Sequence, residues 1–264
     1  LQGAAGFSVG HTAAYTVYGD GSIAVDNCVT PQGKRIPLAR LGVRLLLDPS
    51  LDRFTYLGRG PMENYADRKR GSDIGLYTST VRGNMTPYAK PMENGNHEDV
   101  RWAAVTGKGR GGVLAQAVGG GVLQAGVLPY TDEQMDPVEY TVDLPPSAAS
   151  VFVIAARTTG VGSNGCGPRP ADDAIVWSTP ATFSYVLRLL PQGAQLPQAG
   201  RLQAPADRVM PVLATRDFGG TVTLSSATPG ARLQYALADH VWRDYAAPFA
   251  APDAERLALR ADAS

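Results

Sequence analysis

Short runs in which apolar and polar residues alternate recur along most of the chain. In FSYVLRLL, Phe183, Tyr185, Leu187 and Leu189 fall on one face and Ser184 and Arg188 on the other, the period of a strand with one buried side. Tyr140, Val142 and Leu144 alternate in the same way with Thr141 and Asp143. YTVY and SIAVDNCV flank a Gly-Asp-Gly turn, which predicts a hairpin. LGVRLLL, TYLGRG, the run from Val113 to Val118, GVLQAGVL and SVFVIAA read as further strands. No long stretch sustains a 3.6-residue apolar period. The one helical signal is TDEQM, where Thr131 is placed to cap a single turn. Many strands and almost no helix predict an all-β sandwich, not a parallel α/β sheet.

After Leu190 the pattern stops. PQGAQLPQAGRLQAPADR is polar and rich in Pro and Gly, and reads as a linker over 193–208 between a large sandwich, 1–192, and a small β module, 209–264. That module carries three alternating runs, TVTLSS, ARLQYAL and ERLALRA.

The composition narrows the partners. The chain has 264 residues, with 24 basic and 24 acidic side chains and no run of like charge, so neither nucleic acid nor an anionic membrane surface is an expected partner. No stretch has the roughly 18 apolar residues of a membrane-spanning helix. The two cysteines, Cys28 and Cys166, stand too far apart in sequence to imply a disulfide or a metal cluster, and the three histidines lack ligand spacing. No metal or cofactor is expected.

Some patterns have bland readings. Gly107, Gly109 and Gly112 satisfy G-x-G-x-x-G, but the run that follows alternates where a nucleotide site needs a helix, so a hairpin turn is expected. Asn84-Met85-Thr86 has the letters of a glycosylation site and nothing more. The four letters Pro-Met-Glu-Asn occur twice, in GRGPMENYADRK and KPMENGNHEDVRW. Glu63, Asp67, Glu93, Glu98 and Asp99 could include a pair of carboxylates for sugar cleavage. The neighbouring Arg59, Arg68 and Arg101 equally suit ion pairs that hold turns. Thr158–Pro170, TTGVGSNGCGPRP, reads as an exposed loop able to approach a ligand closely.

These pieces, in this order, resemble the C-terminal part of the glycoside hydrolase family 2 β-galactosidases over Thr16 to Leu190. YLGRGPMENYADRK matches the family's G-x-G-P-x-E-N-Y-x-D-R, and PYAKPMENGNHEDVRW its P-Y-x-x-P-x-E-N-G-x-x-x-x-x-R. The resemblance implies a large antiparallel sandwich of the galactose mutarotase kind. It implies as partners a galactoside and an upstream TIM barrel of the same polypeptide, which supplies both catalytic glutamates, so this chain carries no catalytic residue. A homo-oligomer is left open, and a periplasmic or secreted setting is favoured over the cytoplasm by analogy. In the family, a loop G-x-G-G-D-D-S-W-x-P reaches the galactose pocket. Here Gly160–Pro168 is one residue shorter, with Cys166 in the tryptophan's place and Asn164 and Gly165 before it, so the flat apolar platform is missing. Those three residues are the expected substrate contacts. Glu63, Asn64, Asp67, Arg68, Glu93, Asn94 and His97 are the expected loop-positioning residues. The tail is similar to the small immunoglobulin-like modules of chitobiase-type hydrolases. The competing readings are a free-standing aldose 1-epimerase, built around His97, and a carbohydrate-binding or structural module.

Overall fold

The computed structural model describes residues 6–119, 121–162, 169–202, 212–217, 219–226, 230–237, 239, 241–251 and 257–262. It divides into two compact units, the second beginning at Gln203. In chain order the first unit carries β1 (Phe7–Val17), β2 (Ile23–Gly33), β3 (Pro37–Leu38), β4 (Arg40–Leu47), β5 (Arg53–Gly60), β6 (Asp73–Thr80), β7 (His97–Val100), β8 (Trp102–Thr106), β9 (Gly112–Ala117), β10 (Leu123–Leu128), α1 (Asp132–Met135), β11 (Ser150–Thr158), β12 (Val176–Trp177), β13 (Ala181–Leu190) and α2 (Leu196–Ala199).

A seven-stranded antiparallel sheet, in the order β1-β2-β13-β9-β8-β5-β6, faces a four-stranded one, β4-β11-β10-β7. Their facing sides close one core. Val25, Phe54, Tyr56, Ala103, Val105, Phe183 and Tyr185 from the larger sheet meet Val100, Val127, Phe152 and Ile154 from the smaller. The chain is thus all-β and a sandwich, as the alternation predicted. β1 and β2 pair from Val17–Ile23 outward around the Gly-Asp-Gly turn, with Tyr18 N–H donating to the Ser22 carbonyl at 2.9 Å. Gly107–Gly111 is the tight connection between β8 and β9, where Arg110 N–H donates to the Gly107 carbonyl at 3.1 Å. No helix follows it.

Three expectations change. Tyr140–Leu144 is not a strand: Thr141–Asp143 is a turn of 3-10 helix, and Val142 is 90% exposed. Prolines at 137, 145 and 146 bracket this segment, and Thr141 instead bonds the Tyr88 and Ala89 carbonyls through its hydroxyl and N–H. Alternation without a ladder partner does not make a strand. Second, the polar face of β13 is not an outer one. Arg188 is buried and pairs with Asp20 at 2.9 Å, and Leu190 joins Trp102, Ala104 and Leu114 in a second apolar cluster on the back of the large sheet. Third, the unit runs to Leu202, beyond the 192 expected, because Ala194, Leu196 and Ala199 cover that cluster. Gly200 lies so close to Trp102 that a Cβ there would sit 2.4 Å from the indole.

The second unit has two three-stranded antiparallel sheets. One is β14 (Leu213–Arg216), β15 (Thr221–Ser225) and β18 (Phe249–Ala250). The other is β17 (Arg243–Asp244), β16 (Arg232–Ala236) and β19 (Ala258–Asp262). Val222, Leu224, Tyr235 and Phe249 share its core, where the last two rings stack at 3.8 Å.

Candidate functional site

Both Pro-Met-Glu-Asn turns have the same internal lock. Asn64 Nδ2 donates to the Met62 carbonyl at 2.9 Å, and Asn94 Nδ2 donates to the Met92 carbonyl at 2.7 Å. Each Asn then uses Oδ1 to accept a backbone N–H from outside its turn, from Glu98 at 2.8 Å for Asn64 and from Thr86 at 3.1 Å for Asn94. A buried amide that fills both its donor and acceptor roles fixes a loop far better than an apolar side chain of equal size.

The turns also hold each other. Asn64 N–H donates to the Asn96 carbonyl at 2.8 Å, Asn96 Nδ2 returns a bond to the Asn64 carbonyl at 2.9 Å, and Glu63 accepts the Gly95 N–H at 2.6 Å. The other Glu63 oxygen accepts the Tyr88 hydroxyl. Gly95 has φ +71°, and a Cβ would lie 2.8 Å from the Asn84 carbonyl oxygen, so the Gly of Glu-Asn-Gly is needed on two counts. The neighbouring Asn84 donates to the Gly95 and Val127 carbonyls at 2.9 and 3.1 Å. That amide is committed to bonds within the fold.

His97, read from sequence as part of a loop, opens β7 and is 1% exposed. Its ring stacks on Tyr56 at 4.1 Å, with Nδ1 3.1 Å from the Arg59 carbonyl and Nε2 2.8 Å from Asn84 Oδ1. Burial lowers its pKa to about 4, so the ring is neutral at neutral pH and donates through one nitrogen only.

Charge is arranged around this lock. Glu93 accepts from Arg40 and from the Tyr65 hydroxyl, the latter at 3.3 Å. Burial raises the Glu93 carboxyl and Arg40 opposes it; burial also raises the Tyr65 phenol. Arg40 sits opposite Thr158 at the end of the β4–β11 ladder, so this ion pair ties the smaller sheet to the second turn. Glu98 is 3% exposed and its carboxyl is raised by burial, offset by Lys69 at 3.0 Å. Lys69 also reaches Asp99 at 3.2 Å, and Arg59 pairs with Asp99.

Asp67 and Arg68, which follow the first turn, reach a third segment. Asp67 accepts the N–H groups of Val161 and Gly162 at 3.1 and 2.9 Å, and Arg68 donates to the Gly162 carbonyl from Nε and an NH2 nitrogen at 3.2 and 3.0 Å. Gly160 leaves room for the carboxylate: a Cβ there would lie 2.4 Å from Asp67 Oδ2. The start of the 158–170 loop is therefore gripped from both sides of its backbone. Cys166, Asn164 and Gly165 lie outside the described residues.

Beside the second turn an open cleft of about 430 Å³ is lined by Lys90, Met92, Glu93, Asp132, Glu133 and Asp136. One wall is α1, started by a reciprocal cap in which Thr131 and Gln134 exchange side-chain and backbone bonds. Arg44 grips Glu133 at 2.9 Å and holds that carboxyl at a pKa of about 2. Among the described residues no group of three or more His, Cys, Asp or Glu is placed to hold a metal ion.

Of the residues expected from sequence to position loops, Glu63, Asn64, Glu93, Asn94 and His97 form one connected region, and Asp67 and Arg68 join it to Gly160–Gly162. Arg40, Asn84, Tyr88 and Asn96 were missed. Asn96 stands two residues past Asn94 in the same motif and was the one available signal; the others reach the site only through the fold.

The chain is an all-β two-sheet sandwich in which the polar residues of the two Glu-Asn turns lock loops together. Residues 4–189 match the family model described as β-galactosidase small chain, and the chain belongs to that family. It is 32% identical over 151 residues to a β-galactosidase of Priestia megaterium, matching 57% of this chain and 14% of that protein. It is 31% identical over 160 residues to one of Actinobacillus pleuropneumoniae (60% and 15%). With one of Lactobacillus delbrueckii subsp. bulgaricus it shares 33% identity over 153 residues (58% and 15%). The match thus spans about a seventh of the length of these curated relatives.

Proposed function

We propose that this chain is the non-catalytic C-terminal part of a retaining β-galactosidase of glycoside hydrolase family 2. In this reading it walls the pocket for terminal β-D-galactosides and supports a TIM barrel carried elsewhere in the same polypeptide, which supplies both catalytic carboxylates. The observation that carries the reading is the grip of Asp67 and Arg68 on Gly160–Gly162, coming from a pair of turns that are themselves locked together. Such rigidity belongs to a loop that must be presented to a ligand in one conformation. The loop so presented is the one expected to reach the sugar through Asn164, Gly165 and Cys166. The carboxylates of the two turns have backbone, tyrosine or arginine partners, which suits positioning and not glycoside cleavage.

The test is direct. The isolated 264-residue chain, folded by circular dichroism, is expected to leave a chromogenic β-galactoside unhydrolysed above the buffer rate; turnover at an enzyme-like rate would refute the assignment. The epimerase reading needs His97 at a sugar, and nothing in the buried, stacked ring favours it.

A further inference from the structure

The fold places separate demands on two neighbouring residues of the second turn. Position 94 calls for asparagine, whose buried amide donates to the Met92 carbonyl at 2.7 Å and accepts the Thr86 N–H at 3.1 Å. Position 95 calls for glycine, because its φ is +71° and a Cβ would lie 2.8 Å from Asn84. Together they make Asn-Gly, the pairing in which the following backbone nitrogen meets least hindrance on its way to the asparagine amide carbon. The other asparagines of the lock precede residues with large side chains: Tyr65 after Asn64, Met85 after Asn84 and His97 after Asn96. The sequence holds one more Asn-Gly, at Asn164-Gly165, outside the described residues.

We infer that Asn94 is a latent deamidation site held shut by the lock, and that its modification irreversibly releases the two turns. The reaction is intramolecular. The Gly95 nitrogen loses its proton and bonds to Asn94 Cγ, closing a succinimide ring. The bond from Cγ to the amide nitrogen breaks, and that nitrogen takes up the proton and leaves as ammonia. Water then opens the ring at either carbonyl, to aspartate or isoaspartate. In the folded turn each participant is engaged elsewhere. Gly95 N–H donates to Glu63 at 2.6 Å, and an N–H bonded to a carboxylate resists losing its proton. The Asn94 amide is held at both ends by Met92 and Thr86, which keeps its carbon from swinging onto that nitrogen. Asn94 is 3% exposed, which limits access of water and base. Modification therefore waits on opening of the turn. Once it has occurred the turn does not close again. An aspartate keeps an acceptor for Thr86 but has no N–H for the Met92 carbonyl, and it sets a second carboxylate beside Glu93; an isoaspartate also lengthens the backbone.

The experiment incubates the whole 264-residue chain in mildly alkaline buffer, folded and in urea, and follows Asn94 by peptide mass spectrometry, which separates it from Asn164. Folded chain is expected to deamidate at Asn94 at least about tenfold more slowly than unfolded chain, because reaction is confined to the opened fraction. Glu63→Gln, which leaves Gly95 a neutral and weaker acceptor, is expected to raise the folded rate about fivefold. Asn94→Asp stands for the product and is expected to lower the urea midpoint by about 1 M. Equal rates in the folded and unfolded wild type overturn the inference, as does a folded Glu63→Gln chain with the wild-type rate. An Asn94→Asp chain with the wild-type midpoint overturns the release. If Glu63→Gln fails to fold, the wild-type comparison and Asn94→Asp still decide. None of these outcomes bears on the proposed function.

Discussion

Asn64 is wholly buried, and its side chain makes three hydrogen bonds: to the Arg59 and Met62 carbonyls from Nδ2, at 3.0 and 2.9 Å, and from the Glu98 N–H to Oδ1, at 2.8 Å. Asn64→Ala removes all three. The Arg59 carbonyl keeps the His97 ring at 3.1 Å, and the Met62 carbonyl lies beside an exposed side chain where water can reach it. The Glu98 N–H is fully buried and loses its Oδ1 acceptor. One stranded donor costs about 1–3 kcal/mol, and each lost but re-solvated bond about 0.5–1.5 kcal/mol. With the Arg59 carbonyl still bonded, the stranded donor and the one re-solvated bond sum to about 1.5–4.5 kcal/mol, centred near 3. In a urea titration of the isolated chain, followed through the buried Trp102, a slope of about 2 kcal/mol per molar turns this into a midpoint lowered by about 1.5 M. Asn64→Asp separates hydrogen bonding from shape. It keeps the acceptor for Glu98 but sets a carboxylate oxygen against two carbonyls, so at pH 7 it should be no more stable than the alanine variant. The reasoning fails if Asn64→Ala shifts the midpoint by less than 0.5 M, or if Asn64→Asp behaves as wild type.

His97 supplies a pH dependence. Its folded pKa of about 4 lies below the usual 6.5, so its contribution is complete above pH 6.5 and falls as pH drops toward 4, by up to about 1.4 kcal/mol per unit. Glu93 and Glu98, raised by burial, act in the opposite sense, so the comparison is wild type minus His97→Gln, and this difference should shrink by about 3 kcal/mol between pH 7 and 4 in unfolding titrations; a flat difference counts against a buried neutral ring. Asp67→Ala should speed amide exchange of Val161 and Gly162 at least tenfold by NMR or mass spectrometry, with unchanged rates refuting the grip on that segment. Gly200→Ala, whose Cβ would lie 2.4 Å from the Trp102 ring, should cost about 1–3 kcal/mol and red-shift the fluorescence of that indole, and a variant as stable as wild type would contradict the close packing.

Alternation made most of the sandwich legible, because each strand buries one face and its letters record which. It misled where that condition fails. Val142 alternates but has no neighbouring strand, and Arg188 is polar but lies on a sheet face covered from behind. The cover itself, Leu196 and Ala199 three residues apart, is too short to raise a helical period above the prolines and glycines around it. At the candidate site the two Glu-Asn turns stood out because proline, asparagine and glycine have local duties there. Arg40 and Asn84 did not. Their roles depend on partners 53 and 11 residues away, and a single sequence does not record which distant groups will meet.

The lock between the turns has a practical bearing on protein engineering. Because Asn64 and Asn96 exchange bonds, and Glu63 holds Gly95, neither loop carries its full set of bonds into another scaffold by itself. Anyone recombining β-galactosidases of this family should therefore inherit residues 58–102 from a single parent. A crossover placed in the exposed and inviting stretch between the turns would separate two halves of one latch.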